Sequence, residues 1–317
     1  MTRLSLRIEC PRRFCLRETV LSHGWFELLP FRWDDASSTL FRAEALPDGS
    51  RHLYCLRQGA GLGGRLSVRW LSGVPSPAQR RILLERIRRI TNLGVDLSPF
   101  LSICRKERRL HYVPRRGAGR FLRCGNLYEE VFKAICGTNI AWKQAVLAVN
   151  RVASLGERVP GTEVKAFPDA EKLLGMGERR LKEISRLGYR VPYLLAWARR
   201  VLAAEPEMRS VERGEWTVTE LKRFLLDIQG VGKATAQYLL MVWGHGEEIP
   251  VDSSVFLYCR LNRFAGRAPT EKEIREIYEP YGAWKAYAYW FEFLPWAKTH
   301  WGLGKSLAPA SRLQEKR

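Results

Sequence analysis

The sequence predicts an α+β chain in two parts, an antiparallel β-sheet domain over residues 1–115 and an all-helical domain over 116–304. Three observations predict it. The opening residues alternate polar with apolar at period two, the mark of a half-buried antiparallel sheet. From Asn126 onward the apolar spacing becomes helical. Between them lies a basic stretch broken by Pro114, Gly117 and Gly119, where neither period holds and where a boundary near residue 115 is expected. A length of 317 residues suits two domains better than one, and 46% hydrophobic content supports a substantial core.

The strands come first. Leu4, Leu6 and Ile8 alternate with Ser5, Arg7 and Glu9, while Phe41, Ala43 and Ala45 alternate with Arg42 and Glu44. Leu66, Val68 and Trp70 alternate with Ser67 and Arg69, and Pro47-Asp48-Gly49-Ser50 supplies a turn. A helix then opens at Ser76-Pro77, its apolar stripe made by Ala78, Ile82, Leu83, Ile87 and Ile90. Over 105–123 run Arg105, Lys106, Arg108, Arg109, Arg115, Arg116, Arg120 and Arg123, with Glu107 the lone acid: a solvated charged face or a line of phosphate contacts. Helices are expected over 127–137, 141–154, 169–174, 178–186, 191–204, 218–227, 233–243, 252–264, 270–278 and 283–293. The polar, basic residues 305–317 are expected to fray.

Charge narrows the function. Lys and Arg number 53 against 33 Asp and Glu, a formal +20, which favours a polyanionic partner such as nucleic acid or an acidic membrane surface. A merely soluble basic protein is the plain alternative. The apolar run Tyr238–Gly244 is far shorter than the ~18 residues of a spanning helix, and the N-terminus has no apolar signal core. A cytoplasmic chain without membrane association is expected. The seven cysteines form no C-x-x-C pair and the five histidines are scattered, so reduced thiols, no metal and no cofactor are expected.

The most specific segment is Leu221 to Arg260. A helix ending near Asp227 runs into Ile228-Gln229-Gly230-Val231-Gly232, and a second helix starts at Lys233. The two glycines permit a tight hairpin whose backbone approaches a ligand, and the second helix aims its free N–H groups at the same place. Ile228 and Val231 would pin the hairpin to the helices. The arrangement is either a clamp on a DNA phosphate, indifferent to sequence, or an ordinary helix–turn–helix with glycine caps. Gln229, Gly230, Val231, Gly232, Lys233 and Thr235 are its candidate DNA-binding residues. Downstream stands Ile249-Pro250-Val251-Asp252-Ser253-Ser254, followed by an apolar helical run.

This order, a glycine hairpin and then a Pro-x-Asp, resembles the helix–hairpin–helix DNA glycosylase superfamily. Ile135-Cys136-Gly137-Thr138-Asn139-Ile140-Ala141 is similar to that superfamily's DNA-inserting loop, and Leu187-Gly188-Tyr189-Arg190 with Tyr193 to the start of its interdomain helix. The resemblance covers about residues 120–300 and is nearest to bacterial 3-methyladenine DNA glycosylase II, whose N-terminal domain is also an antiparallel sheet. His23-Gly24-Trp25 and Pro30-Phe31-Arg32-Trp33-Asp34 fit that group less specifically.

The resemblance implies a base-excision enzyme acting as a monomer on double-stranded DNA that holds a damaged base. Members that also nick the strand carry a nucleophilic lysine two positions after the second hairpin glycine; here Ala234 stands there. Lys233 lies one residue earlier, about 100° around the helix, and is expected to face a phosphate. A monofunctional enzyme for alkylated purines is therefore implied. An 8-oxoguanine-type glycosylase/lyase using Lys233 is one alternative, and a non-catalytic, structure-specific DNA-binding protein is another.

Asp252 is the implied catalytic carboxylate, stabilising positive charge on the sugar and orienting water. Its plain alternative is a helix cap, which Asp favours. The flipped base needs flat walls, and Tyr238, Ala234, Trp142, Trp25, Tyr289 and Trp290 are the candidates. A cationic methylated purine would gain from such walls through cation–π contact. Ala234 departs from the aromatic residue usual in the family and implies a wider pocket. Asn139 matches the side chain that fills the gap left by the base, or is a loop cap. Only Cys259 follows Asp252, so no iron–sulfur cluster is expected.

Overall fold

The structure, a computed structural model, describes residues 5–301. Leu4 and the tail from residue 305 lie outside the described residues. Five strands, β1 (Ser5–Glu9), β2 (Phe31–Asp34), β3 (Thr39–Ala45), β4 (Arg51–Gln58) and β5 (Arg65–Trp70), form one antiparallel sheet in the order β1-β5-β4-β3-β2. A single apolar row crosses it. Leu6 faces Val68, Val68 faces Leu56, Leu56 faces Leu40, and Leu40 faces Trp33. The register follows from burying that row, since a one-residue slip would turn it to water. The expected turn closes β3 onto β4, with Leu46 N–H donating to Ser50 O at 2.8 Å and Gly49 at φ +77°.

Around the sheet run α1 (Leu16–Val20), α2 (Pro77–Ile90), α3 (Ser98–Lys106) and α4 (Tyr112–Arg116). The start of α2 is a reciprocal cap: Gln79 N–H donates to Ser76 Oγ and Ser76 N–H to Gln79 Oε1. Leu83, Ile87 and Ile90 bury its stripe, whereas Ala78, expected in that stripe, is exposed.

The helical part comprises α5 (Leu127–Cys136), α6 (Trp142–Ala153), α7 (Ala170–Ser185), α8 (Arg190–Ala203), α9 (Glu205–Glu212) and α10 (Val218–Leu226). It continues with α11 (Lys233–Trp243), α12 (Ser253–Asn262), α13 (Glu271–Tyr278) and α14 (Lys285–His300). The two helices expected over 169–174 and 178–186 are one, broken at Gly177 with φ +75°. Helix α14 does not stop short of Pro295 but runs through it, its far end packed by Phe293, Trp296 and Trp301. Helices α1, α3, α4 and α9 lie outside the expected set. Among the described residues no helix is long and apolar enough to cross a membrane.

One apolar core runs from Ile8 and the sheet to Ala297 in α14 without a gap at residue 115. The link between sheet and helices is also ionic. On α5, Glu129 receives Arg42 Nη1 at 2.9 Å and Lys133 Nζ at 2.6 Å, and Glu130 receives Arg123 at 2.8 Å and Arg89 at 2.9 Å. The basic stretch 105–123 is thus only partly a free cationic face. Arg120 is buried and donates to the carbonyls of Asn92 and Val95, and Arg109 pairs with Glu292 at 2.7 Å. Arg105, Lys106, Arg108, Arg115 and Arg116 remain exposed.

Candidate active site and nucleic-acid interface

The hairpin between α10 and α11 is built from its two ends. Ile228 and Val231 are buried, and Val231 N–H donates to Ile228 O at 3.0 Å to close the turn. Gly230 has φ +87°, and a Cβ there would meet the Tyr193 ring at 2.8 Å, so both backbone and space demand glycine. Gly232 precedes α11 in extended conformation and no side chain caps that helix. Its first-turn N–H groups are left to point at whatever lies beyond the hairpin. Gln229, Gly232 and Lys233 are exposed, Gly230 and Thr235 are half-buried, and the Val231 side chain faces inward as a pin.

Tyr238 lies one turn after Ala234 on α11, and both are half-buried. Its ring meets Trp25 at 6.1 Å and Trp290 at 5.7 Å between centroids. The N-terminal turn Gly24–Glu27 delivers Trp25, and α14 delivers Trp290, whose Nε1–H donates to Ser22 O at 2.8 Å. Of the expected wall residues, the structure brings Tyr238, Trp25 and Trp290 together; Tyr238 and Trp290 are half-buried, whereas Trp25 is 3% exposed and packs against Tyr238 as core. Trp142 stands one step aside: its Nε1–H donates to Glu27 Oε2 at 2.8 Å, and its ring covers Gly24, where a Cβ would sit 2.4 Å away. Tyr289 is not a wall. It is 1% exposed, stacked on Phe293 and edge-on to Tyr278, which makes it core.

Asp252 caps α12, its Oδ1 accepting from Ser254 N–H at 2.8 Å and Val255 N–H at 3.1 Å. The residue is open to solvent, yet the protein around it pushes its carboxyl above the ordinary range by desolvation, against the pull of those N–H groups. Asp252 is thus a solvent-accessible carboxylate whose ionisation the surrounding protein opposes. Burial first raises the hydroxyls of Tyr238 and Tyr289; the Asp252 charge comes next for Tyr289 and, after Cys124 and Glu130, for Tyr238, so the carboxylate is within electrostatic reach of both.

Asn139 lies exposed in the loop between α5 and α6 with φ +46°. The Arg190 guanidinium holds that loop, donating from Nε to Thr138 O at 2.9 Å and from Nη2 to Asn139 O at 2.8 Å. The sequence marks Arg190 only by its place beside Gly188-Tyr189, which gives it no role. His23 is the second such residue, present in the sequence only as part of His23-Gly24-Trp25 and without a role. It is 1% exposed, its Nε2 2.7 Å from Leu122 O and its Nδ1 2.9 Å from the Tyr238 hydroxyl. Lys233 points away from the cluster, its Nζ 3.4 Å from Glu271 on α13.

The fold and this arrangement define the class: the chain has the fold of the helix–hairpin–helix DNA glycosylases. It is similar to a 3-methyladenine DNA glycosylase of Archaeoglobus fulgidus, with a TM-score of 0.73 and 19% identity over 94% of this chain and 99% of that one. It also resembles the 8-oxoguanine glycosylase/lyase of Clostridium acetobutylicum, with a TM-score of 0.68 and 15% identity over 92% and 95% of the two chains. In sequence it is 25% identical over 217 residues to DNA-3-methyladenine glycosylase of Bacillus subtilis, covering 66% of this chain and 71% of the relative. No family model matches the chain.

Proposed function

We propose that the chain is a monofunctional DNA glycosylase of base excision repair, hydrolysing the N-glycosidic bond of an extruded alkylated purine in double-stranded DNA. One observation carries the reading. The α11 position that should face the flipped nucleotide holds Ala234, which cannot attack, while Asp252 is accessible and desolvated, with N–H groups and no cation for partners among the described residues. An unneutralised carboxylate is what a sugar developing positive charge requires, and the same oxygens can orient the attacking water. The hairpin and the exposed arginines would grip phosphates without reading bases. Tyr238 and Trp290 supply the flat walls, with the buried Trp25 packed against Tyr238, and the half-buried Ala234 leaves room beside them.

The name of the Bacillus relative supports the alkylated substrate. Lys233, turned toward Glu271, speaks against a lyase. We further infer that the protein acts in the cytoplasm as a monomer. The test is a set of duplexes bearing alkylated purines or 8-oxoguanine, incubated with the protein and resolved with and without hot alkali. Strand breaks at alkylated purines after alkali alone are expected, and borohydride should trap no covalent adduct. An adduct lost in Lys233→Ala would hand the site to the lyase mechanism.

A further inference from the structure

We propose that His23 is a positioning residue: it holds the Tyr238 hydroxyl so that the ring is fixed in plane and enriched in electrons for a cationic purine. The proposal rests on the glycosylase reading above and assigns to this contact the distinction between one lesion and another.

The argument starts from Leu122. A backbone carbonyl only accepts, so His23 Nε2, 2.7 Å away, carries the proton. In the neutral ring the other nitrogen then has only a lone pair, and the Tyr238 hydroxyl at 2.9 Å donates to it. Burial keeps the ring neutral, holding its pKa down to about 4. His23 is packed by Trp25 at 5.1 Å and Phe121 at 6.0 Å. Three segments far apart in sequence thus meet at one imidazole.

Two consequences follow for Tyr238. Its hydroxyl is anchored and its ring edges are held by Trp25 and Trp290, so the plane offered to a base is preset. A phenol that donates a hydrogen bond in a dry environment is polarised toward its oxygen and ring, which strengthens attraction for a cation over the face. A neutral His23 also adds no positive charge to repel a methylated purine. A neutral lesion gains the stacking but not the cation term.

The test compares base release from a 7-methylguanine duplex and a hypoxanthine duplex. His23→Phe keeps an aromatic ring but removes the acceptor, and should lower the cationic-over-neutral preference in kcat/KM roughly 5-fold. His23→Asn returns an oxygen near the Nδ1 position and should restore most of it. The double variant His23→Phe/Tyr238→Phe should be no worse than Tyr238→Phe alone. Equal losses on both lesions, no rescue by Asn, or additive losses would overturn the proposal. Nitrogen-15 NMR of the imidazole needs no turnover: an Nε2–H tautomer whose Nδ1 shift moves in Tyr238→Phe is expected, and an Nδ1–H tautomer sinks the idea. A wild-type protein that releases no base would instead defeat the glycosylase reading, while the NMR result still decides the hydrogen bond.

Discussion

Glu129 on α5, buried, and Asp252 at the start of α12, open to solvent, are both carboxylates that the protein around them desolvates, and their settings are opposite. Burial alone would raise Glu129, but Arg42 and Lys133 beside it hold its carboxyl down to about 2. Asp252 meets backbone N–H groups instead, and desolvation wins, so its carboxyl rises. The first arrangement uses up its charge in tying sheet to helix. The second keeps its charge available. The difference teaches where to look for chemistry: paired buried ions hold structure, and a desolvated acid without a cation is free to act.

The comparison breaks first at the junction. Glu129→Gln leaves Lys133 buried without its anion and Arg42 with Glu44 alone, and should lower stability by about 3 kcal/mol or more. Base release per folded molecule should be unchanged, as read from denaturant titration beside an activity assay. A large loss of specific activity in folded Glu129→Gln would erase the distinction between the two regions.

His23 sharpens it, as a buried base that avoids charge altogether. Its folded pKa of about 4 lies below the ordinary 6.5, so only the unfolded chain binds the proton between those values. Its stabilisation is complete above about 6.5 and declines by roughly 3 kcal/mol as pH falls toward 4. Denaturant midpoints of wild type and His23→Asn across that range should converge at the acid end. Parallel curves would mean that His23 titrates normally in the fold.

Asp252→Asn is the converse of the junction variant. Asparagine also caps helices, so the unfolding midpoint should barely move while turnover falls about 10²-fold, ~2.7 kcal/mol of transition-state stabilisation. In wild type, kcat/KM should drop on the acid side through the raised Asp252 pKa, at pH values where Glu129 stays ionised and circular dichroism is unchanged. An Asp252→Asn protein that unfolds, with normal activity in the surviving fraction, would make Asp252 a cap and nothing more.

The smallest effect belongs to Lys233, exposed at the hairpin. Lys233→Ala should weaken duplex binding for every sequence alike and reduce the slope of log affinity against log salt by about 1. An unchanged slope would remove Lys233 from the phosphate contacts.

Much of this was legible because local patterns carried it. Period-two alternation revealed β1 and β5, each with one face on the core and one outward; in β3 the polar face, Arg42 and Glu44, is itself buried beside Leu40 in the ionic junction, and Phe41 on the other face is half-buried. Strand β4 lies between β3 and β5, and its Leu53 is covered on the outer face by Val159 and Ala166, so burial on both faces left no alternation to read. Helix α9 has only Met208 and Val211 as buried anchors, too few to set a period. The hairpin glycines and Asp252 stood out because their requirements are met within a few residues. His23 did not, since its partner Tyr238 is 215 positions away and nothing near His23 announces it.

The indole of Trp290 donates to the carbonyl of Ser22, a bond that spans 268 positions of the chain. Translation therefore delivers Ser22 long before Trp290, and the aromatic cluster is completed only when α14 is made. The same helix buries Tyr287, Phe291 and Leu294 in the core, so a chain cut before α14 would lose core and aromatic cluster together.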